Sequence, residues 1–466
     1  MNESLPRLWE ATVARSPSSV AVTDAATGER WSRAALAEAA LAWAGSFERE
    51  AGRSTFVRRR VAMSVPNGPG WLAAFLGLLS AGAVPAPIDP SEPGEAQLGA
   101  ARAIGASLLW RGGRLERVPA GGAAPAGPRP ASECLVKMTS GSSGAPKGIA
   151  FTHAQMAADG RQICETMGIR PHDANLAAIP LGYSYGLGNL VVPLILQGTQ
   201  VICISSALPH ALASDAARFS PTVFPAVPPI LGALVASDVP RRSLSSLRLV
   251  ISAGSPLPRE VARSFERKFG ARVSGFYGTS ETGGIAFDAG GGATLAGRAV
   301  GRPLSGVRIA LGRSGRFTVS SPAVRGRGSF PPADRATLNA LGELVLLGRT
   351  DRVVKVAGRR VDLAEIESAL RSVPGVRDAF AHLAGGPGAA LSAAAVTALP
   401  PAEIRRLLRN RIASWKIPAR IVALASFPAT ARGKTDAGGL RQILSAPRTA
   451  TSISTLRAAR QMSAPR

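Results

Sequence analysis

The segment around residues 60–88 constrains the fold of this chain more than any other part of the sequence. An apolar run covers residues 71–84 and is cut off by Pro85 and Pro87. At this length the run predicts a buried helix that leads into a strand, because a membrane span needs about 20 apolar residues. Strand-like patterns lie on both sides of it, at residues 60–65 and 84–88. The order of strand, helix and strand is typical of an α/β protein.

The same alternation continues along the first half of the chain. Ser32 is placed to cap an Ala- and Leu-rich helix that runs to about residue 47. Further on, residues 247–252 predict a strand, 258–269 a helix and 271–276 another strand. Such alternation favours layers of helices on largely parallel sheets, and we therefore assign the chain to the α/β class.

The pattern changes twice towards the C-terminus. Residues 297–348 hold short strands and turns, which predict a small antiparallel, barrel-like β subdomain within the large domain. After residue 349 the pattern is that of a compact α+β domain. We predict a large domain over residues 1–350, a small domain over 351–446, and a basic, flexible tail over 447–466.

The predicted small domain begins with a clear helix signal. Asp362 and Glu365 have the spacing of a capping box for a helix over 363–371. The other elements predicted for this domain are strands at 377–383, 391–397 and 420–427, and a helix at 402–413.

The charge balance is strongly basic. The chain has 55 basic and 30 acidic side chains, a net charge of +25, and only six lysines among its basic residues. A charge of this size can indicate binding to nucleic acid or a membrane surface. However, the arginines are spread along the sequence, and aromatic residues for base stacking reach only 5%. We therefore interpret the positive charge as arginines spread over an ordinary protein surface. Nucleic-acid binding stays open as an alternative function.

The cysteines and histidines are scattered. The three cysteines lie far apart and form neither a disulfide framework nor a CxxC metal site, and the four histidines show no ligand spacing. A structural zinc site and a Cys–His nucleophile are not expected. The N-terminal residues carry acidic side chains and no apolar core of a secretory signal, so we expect a cytoplasmic protein without a membrane span.

The strongest chemical signal is the segment TSGSSGAPKG, residues 139–148. Consecutive Ser, Thr and Gly residues offer backbone N–H groups and hydroxyls to phosphate oxygens, and Lys147 adds a mobile positive charge. The pattern differs from a Walker A loop, because Pro146 stands where that loop needs Gly-Lys. A plain Gly/Ser linker would rarely end in Pro-Lys-Gly before an apolar helix start at 149–153. The candidate phosphate ligands are Thr139, Ser140, Gly141, Ser142, Ser143, Gly144 and Lys147.

This segment resembles the phosphate loop of the adenylate-forming superfamily, which includes acyl-CoA synthetases, peptide-synthetase adenylation domains and luciferases. Three further segments match family motifs in order: GFYGTSET at 275–282, GRTDRVVKVAG at 348–358 with Glu365 and Glu367, and GKTD at 433–436. The resemblance implies a large ATP-binding domain and a small mobile C-terminal domain. It also implies attack of a carboxylate on the α-phosphate of ATP, release of pyrophosphate, and capture of the acyl-AMP by a thiol.

The resemblance assigns nucleotide contacts to the GFYGTSET segment. Tyr277 would stack on adenine beside Gly278. Ser280, at a position that is usually Thr, would touch the α-phosphate, and Glu281 would hold Mg²⁺. A solvated loop carboxylate is the plain alternative for Glu281. The attack of a carboxylate on the α-phosphate needs neutralisation of the negative charge on the phosphate more than it needs proton transfer.

The remaining nucleotide contacts are implied at two other segments. Gly254 and Ser255 lie in a turn that resembles the family's adenine-side turn. Asp334 would accept from the ribose hydroxyls, although Pro332-Ala333 replaces the usual Thr-Gly before it, and Arg349 would lie near the ribose and α-phosphate. A solvated loop aspartate is the alternative for Asp334.

The resemblance also assigns roles to residues of the predicted small domain, two of which are lysines. By resemblance, Lys434 bridges the acyl carboxylate and the α-phosphate, Asp351 is the hinge, and Lys355 to Gly358 serve the thiol step. Glu367 matches a family contact but fits a helix-surface charge equally well. The residues Lys137, Lys268 and Lys416 carry no chemical argument beyond surface or packing roles.

The acyl group is predicted to contact residues 179–187. Tyr183 stands where many acyl-CoA synthetases have histidine, and Tyr185 and Gly186 follow it; core packing is the alternative for these rings. Gly254 and Gly275 would leave room for a ring or chain. The segment lacks the aspartate that binds an α-amino group, which favours an aryl or small-to-medium acyl acid over an amino acid.

The acceptor stays open. Coenzyme A is the first choice and the phosphopantetheine of an acidic acyl carrier protein the second, since both are anionic and suit a basic protein. A catalytically inactive relative is the further alternative, because the neighbourhood of Asp334 departs from the family pattern.

Overall fold

The computed structural model describes residues 4–52, 56–119, 130, 132–140, 146–326, 328–349, 352–356, 359–383, 391–409, 411–412, 414–430 and 435–446. The chain divides into two compact units. The first comprises Met1–Pro332 and Ala336–Leu346, and the second comprises Ala333–Arg335 and Leu347–Arg466. The predicted α/β class with a separate small C-terminal part is confirmed. The domain limits at residues 350 and 446 stay a prediction, and the tail 447–466 lies outside the described residues.

The strands are, in chain order, β1 (Val20–Asp24), β2 (Arg30–Ser32), β3 (Arg60–Ser64), β4 (Val84–Pro87), β5 (Leu108–Arg111), β6 (Arg114–Arg117), β7 (Glu133–Ser140), β8 (Pro146–Thr152), β9 (Ala174–Ala177), β10 (Gln200–Cys203), β11 (Val223–Ala226), β12 (Leu249–Ser252), β13 (Val273–Thr279), β14 (Gly283–Phe287), β15 (Arg302–Pro303), β16 (Arg308–Leu311), β17 (Phe317–Ser320), β18 (Ser329–Phe330), β19 (Asp334–Leu338), β20 (Leu344–Arg349), β21 (Val353–Val356), β22 (Arg359–Asp362), β23 (Val376–Leu383), β24 (Leu391–Thr397) and β25 (Arg420–Leu424).

The α-helices are α1 (Leu5–Arg15), α2 (Arg33–Ala51), α3 (Pro69–Ser80), α4 (Gly94–Ala103), α5 (His153–Met167), α6 (Ser184–Gly186), α7 (Val192–Gln197), α8 (Pro209–Phe219), α9 (Pro228–Ala236), α10 (Arg259–Phe269), α11 (Gly292–Ala296), α12 (Leu363–Arg371), α13 (Pro401–Leu408) and α14 (Ala437–Ser445). A π-helical turn, Leu187–Val191, joins α6 to α7. Short 3₁₀ helices cover Arg241–Leu244, Arg313–Gly315 and Ser414–Lys416.

The largest sheet in the described part of the chain has nine strands, in the order β15-β14-β13-β12-β11-β9-β10-β1-β2. The strands from β13 to β1 pair in parallel, and antiparallel strands flank them on both sides. The prediction of largely parallel sheets is confirmed. Because parallel strands end at one edge of a sheet, the loops that follow β9, β11, β12 and β13 gather at that edge.

The predicted apolar helix is confirmed in a second sheet, ordered β4-β3-β5-β6. Here β3 pairs in parallel with β4 and β5, and α3 connects β3 to β4. The Ser32 side chain caps α2 by accepting from Ala35 N at 3.1 Å, as its sequence predicts. The two helices pack so closely that a Cβ at Gly77 would lie 2.6 Å from Ala40 O. No described helix combines the length and apolar character needed to cross a bilayer.

The segments on either side of the predicted phosphate loop form one antiparallel hairpin, β7 and β8, with Thr139 opposite Lys147. The prediction that a helix starts at 149–153 was wrong for the first four of these residues. They belong to β8 because Ile149 and Phe151 are buried and pair with β7. The helix α5 begins at His153, where the Thr152 and Gln155 side chains form a capping box.

The region predicted to be a barrel-like subdomain forms small antiparallel sheets in the described residues. Strands β16, β17 and β18 form one three-stranded sheet, and β19 and β20 form a two-stranded hairpin. The side chains of Phe317, Val319 and Leu344 are buried in the same apolar cluster as the β14 residues Ile285 and Phe287.

The second unit is built on the sheet β23-β24-β25. The helix predicted over 363–371 is observed as α12, and its residues Ile366 and Leu370 are fully buried. The helix predicted over 402–413 ends earlier, at Leu408, and a 3₁₀ turn follows at Ser414–Lys416. The strand predicted over 420–427 ends at Leu424, because its pairing partner β24 runs out one residue beyond Val396.

Candidate active site

Several predicted site residues fall outside the described part of the chain. These are Gly141, Ser142, Ser143 and Gly144 of the phosphate loop, the hinge Asp351, Gly358, and Lys434. For Thr139, Ser140 and Lys355 the structure describes the backbone only. Their proposed roles therefore rest on the sequence.

The end of β7 holds a buried lysine two residues before the phosphate loop. Lys137 is 1% exposed, and its Nζ lies 3.8 Å from Asp159 Oδ2 and 4.2 Å from the centre of the Phe151 ring. Desolvation lowers the pKa of Lys137, and the nearby carboxylates, that of Asp159 first, oppose this effect. No chemical role was predicted for this lysine from the sequence. The signal that could have found it is a single lysine among apolar strand residues in an arginine-rich chain.

The GFYGTSET segment forms the end of β13 and the turn into β14. The turn is tight, because a Cβ at Gly278 would lie 2.4 Å from Gly283 O. Ser280 and Glu281 lie at the turn and are half-buried, and Thr282 behind them is fully buried. Arg325 N donates to Glu281 O at 3.0 Å, which anchors the backbone of this turn. The segment thus presents a hydroxyl and a carboxylate side by side, at the edge where parallel strands end.

The predicted acyl-binding segment reaches the same turn. The Ser184 hydroxyl donates to Ser280 Oγ at 2.9 Å. Next to it, the Tyr185 ring lies 5.9 Å from the Phe276 ring, and its hydroxyl donates to Ile251 O at 3.2 Å. Desolvation raises the pKa of Tyr185 well above its usual value, so the phenol stays protonated and can donate. Ser184 and Phe276 both lie in segments that were predicted to form the site, but neither side chain was singled out from the sequence.

Tyr183 has a partner outside the predicted segment. Its hydroxyl donates to Asp89 Oδ2, and Asp89 follows β4 of the second sheet. The neighbouring Gly182 fits closely against β4, where a Cβ would lie 2.6 Å from Pro87 Cβ. The ring of Tyr183 is therefore held by a carboxylate at the edge of the candidate acyl site.

The glycines predicted to make room for the acyl group have packing explanations of their own. Gly275 N donates to Thr294 Oγ1 at 2.9 Å, and a Cβ at Gly275 would lie 2.7 Å from that same oxygen. The space beside Gly275 is thus filled by α11. Gly254 has a φ of +88°, a backbone conformation that is strained for any residue with a side chain. At Gly186 a Cβ would lie 2.0 Å from Pro180 O. A role of these glycines in binding acid or nucleotide stays a prediction.

Asp334 and Arg349 lie in the second unit. Asp334 is half-buried at the start of β19, and Arg349 is exposed at the end of β20. Consecutive strands joined by a short turn pair in antiparallel fashion, so both residues lie at the open end of one hairpin. In the same unit Glu367 is buried and not on the helix surface: Arg352 Nη1 donates to it at 2.9 Å and Ala381 N at 2.8 Å.

The donor set at the turn suits a magnesium ion that is held together with a nucleotide. Glu281 supplies a carboxylate and Ser280 a hydroxyl, both hard oxygen ligands. Within the described residues, no group of three or more His, Cys, Asp or Glu side chains could hold a metal by itself. An ion bound by one carboxylate and by substrate phosphates agrees with both observations.

Comparison with known proteins gives consistent results. The family described as AMP-binding enzyme matches residues 9–114 and 112–316, and the AMP-binding enzyme C-terminal domain matches 365–434. A feruloyl-CoA synthase from an Amycolatopsis species is 30% identical, and the alignment covers 82% of this chain and 88% of the relative. A benzoate–CoA ligase from Thauera aromatica is 28% identical over 67% of this chain and 66% of that protein. An L-proline–[L-prolyl-carrier protein] ligase from Pseudomonas fluorescens is 25% identical over 66% of this chain and 68% of that protein.

The fold also matches a solved structure. ATP-bound MatB from Rhodopseudomonas palustris superimposes with a TM-score of 0.81 at 21% identity, covering 95% of this chain and 99% of MatB. The family matches and the feruloyl-CoA synthase likeness together show that this chain belongs to the AMP-binding enzyme family.

Proposed function

We propose that this protein is an AMP-forming acid–thiol ligase, which activates a carboxylic acid with ATP and transfers the acyl group to coenzyme A. The observation that carries the proposal is the 2.9 Å hydrogen bond between Ser184 and Ser280. It joins the segment proposed to bind the acid to the segment proposed to bind the α-phosphate. The two reacting groups must meet at such a junction.

The proposed nucleotide contacts come from several segments of the chain. In this proposal the segment 139–148 binds phosphate oxygens through its backbone N–H groups and hydroxyls, and Lys147 adds a positive charge. Tyr277 stacks on adenine beside Gly278, Gly254 and Ser255, and Ser280 contacts the α-phosphate. Asp334 and Arg349, at the end of one hairpin, bind the ribose and the α-phosphate. Bound at Glu281, Mg²⁺ supplies charge neutralisation on the phosphates.

The first half-reaction is a displacement at phosphorus. A carboxylate oxygen of the acid forms a bond to the α-phosphorus, the bond from this phosphorus to the bridging oxygen breaks, and pyrophosphate leaves with that electron pair. The negative charge that builds on the phosphoryl oxygens is stabilised by Ser280 and by Lys434, whose compact ammonium suits a site that it must enter and leave.

The second half-reaction transfers the acyl group. A thiolate attacks the acyl carbon of the acyl-AMP, a thioester forms, and AMP leaves with the electrons of the broken C–O bond. We assign Asp351 as the hinge about which the small domain turns, and Lys355 and Gly358 to the segment that serves this step.

An aryl or small-to-medium acyl acid is the proposed substrate class. Tyr185 and Phe276 give the candidate site two aromatic rings, and Tyr183 stands at its edge. Two relatives are named for the aromatic acids benzoate and ferulate, which agrees with this class. A carrier-protein phosphopantetheine is the second candidate for the acceptor, because one relative is a carrier-protein ligase and the net charge of +25 suits an acidic partner.

The test is ATP–pyrophosphate exchange across a panel of aryl, fatty and short acids, followed by coenzyme A or a carrier protein as acceptor. We expect exchange that depends on the acid, and its near-complete loss in Lys434→Ala. Lys416→Ala is the matched control, because Lys416 lies in the same unit and pairs with Glu365. Normal exchange in Lys434→Ala would contradict the role of Lys434. No exchange with any acid would favour an inactive relative, and salt-dependent DNA binding without exchange would revive the nucleic-acid alternative.

A further inference from the structure

The buried pair of Lys137 and Asp159 lies where three segments of the candidate site meet. Lys137 belongs to β7, which leads into the phosphate loop, and Asp159 lies in the middle of α5. The two side chains are 1% and 3% exposed. Two charges this deeply buried cost several kcal/mol to desolvate, so a pair that only filled space could be replaced by apolar residues without loss.

Asp159 uses its second oxygen to hold the backbone beyond Glu281. Gly284 N donates to Asp159 Oδ1 at 2.9 Å. The preceding Gly283 has a φ of +70°, and a Cβ there would lie 2.2 Å from the same oxygen. The carboxylate is therefore in tight contact with the first two residues after the GFYGTSET motif.

The same carboxylate also lies close to the turn that follows the predicted acyl-binding segment. A Cβ at Gly188 would lie 3.4 Å from Asp159 Oδ2, and Gly188 belongs to the π-helical turn that follows Tyr185. π-Helical turns are rare and occur often at functional sites. Asp159 therefore binds the backbone just after the motif that carries Ser280, and it lies close to the helical turn that follows the segment carrying Ser184.

Lys137 fixes this carboxylate from the third side. At 3.8 Å the contact is an ion pair without a hydrogen bond, so both oxygens of Asp159 remain able to accept from other donors. The Phe151 ring beneath the ammonium adds a cation–π contact. An arginine would bind both oxygens in a fork and compete with Gly284.

We propose that Asp159, held in place by Lys137, is a positioning residue for adenylation: through its hydrogen bond to Gly284 it fixes the turn of Ser280 and Glu281 relative to the strand that leads into the phosphate loop. This inference rests on the proposed function. A shift of the turn by about 1 Å is enough to cost about 100-fold in rate, because the reacting groups lose their alignment.

The test compares two double variants, K137M/D159N and K137M/D159L. Both remove the two charges, and both Asn and Leu keep the branched arrangement of four side-chain heavy atoms that Asp has. Asn retains the acceptor for Gly284 N, whereas Leu does not. Each variant leaves a buried donor group unpaired, the side-chain NH2 of Asn in the first and the backbone N–H of Gly284 in the second, so both should lose free energy of unfolding. A merely structural role would give both folded variants the same exchange kinetics.

We expect K137M/D159N to keep most of the wild-type kcat for ATP–pyrophosphate exchange, and K137M/D159L to lose about 10- to 100-fold in kcat. Hydrogen–deuterium exchange of residues 278–285 gives a second readout that needs no activity. It should be faster in the Leu variant than in the Asn variant. Equal kcat in the two folded variants, or equal hydrogen exchange of residues 278–285 in them, would each overturn the proposal. If the wild-type protein exchanges pyrophosphate with no acid, the proposed function fails, and the hydrogen-exchange comparison still decides whether Asp159 positions the turn.

Discussion

The two edges of the nine-stranded sheet are built in opposite ways. At the amino edge, Asp173, Thr222 and Arg248 each directly precede a parallel strand and satisfy one another. Asp173 Oδ1 accepts from Arg248 Nε at 2.8 Å and from Thr222 Oγ1 at 2.7 Å, and Asp173 Oδ2 accepts from Arg170 N at 2.7 Å. This carboxylate is left with little capacity for a ligand.

The carboxyl edge is left open by comparison. Ser252 Oγ at the end of β12 is buried and finds no hydrogen-bond partner among the described residues. Gly254 follows it in a left-handed conformation, and the turn at Ser280 and Glu281 lies half-buried beyond β13. Stability and ligand binding are therefore assigned to opposite edges of one sheet. The amino edge contributes stability, and the carboxyl edge keeps polar groups available for a ligand.

Two buried aspartates show the same separation. Asp173 and Asp159 are 1% and 2% exposed, but their pKa values move in opposite directions. Burial alone would raise the pKa of Asp173, and hydrogen bonds from Arg248 and Thr222 reverse this and lower it. The pKa of Asp159 is raised by desolvation, which Lys137 at 3.8 Å opposes without a hydrogen bond. The partner of each carboxylate, and not its burial, decides which role it can have.

The largest effect is expected at the carboxyl edge, for Glu281→Gln. Loss of this charge should reduce ATP–pyrophosphate exchange by about 100- to 1,000-fold, since such displacements depend strongly on stabilising the negative charge of the phosphates. The free energy of unfolding, measured in urea, should hardly change, because Glu281 is half-buried and its backbone carries the contact to Arg325. A variant that unfolds more easily while its remaining exchange is normal would break the comparison.

The amino edge should respond in the opposite sense. Asp173→Ala leaves Arg248 and Thr222 without their shared acceptor, and we expect a loss of about 3 kcal/mol in the free energy of unfolding. The kcat and the KM for ATP of the folded fraction should stay close to wild type, because none of the proposed substrate contacts involves this edge. Asp378→Ala is the control, since Asp378 forms an exposed ion pair with Arg371 and should change stability little. A selective loss of kcat in Asp173→Ala would contradict the separation.

The fold was largely predictable because its signals are local. The Ser32 cap, the apolar α3 and the helix α12 depend on residues within a few positions of one another, and the structure has all three. The sequence predictions of the fold failed at element boundaries, and the clearest case is the start of α5. Residues 149–152 look like a helix start, but their pairing with β7 makes them a strand, and the cap at Thr152 starts the helix. The pairing partner lies on the other side of a loop, where local propensity gives no information.

The sequence motifs of the candidate site could be predicted, but the contacts between their side chains and distant residues could not. The segments at 139–148 and 275–282 could be recognised, but the pairing of Lys137 with Asp159 could not, because Asp159 lies 22 residues further on in another element. The same holds for Gly275, whose free space is filled by Thr294 from α11, and for Tyr183, whose partner Asp89 belongs to another sheet. Long-range partners of this kind are set by the tertiary fold alone.

A smaller effect is expected in the pH dependence of stability, to which Asp173 at the amino edge should contribute. Because the pKa of Asp173 is lowered from its ordinary 3.8, the folded state holds this proton less tightly than the unfolded state. Its stabilising effect is therefore complete above pH 3.8 and is lost as the pH falls through the lower, folded-state value. In urea unfolding curves at several pH values, the gap between the wild-type protein and Asp173→Asn should narrow below pH 3.8. A gap that stays constant to lower pH would mean that Asp173 is not stabilised as its charged form.

The smallest effect is expected for Tyr183→Phe, which tests whether the contact to Asp89 belongs to the site or to the core. Loss of the hydroxyl should cost about 1 kcal/mol of stability, and it should also change the ranking of acids in the exchange assay, because the ring then loses its fixed position at the edge of the acyl site. Tyr185→Phe is the matched control: its hydroxyl bonds Ile251 O, inside the sheet, and its loss should lower stability by a similar amount without a change in ranking. If both variants keep the wild-type ranking, Tyr183 is a packing residue, and the open part of the carboxyl edge is confined to the turn at Ser280 and its neighbour Ser184.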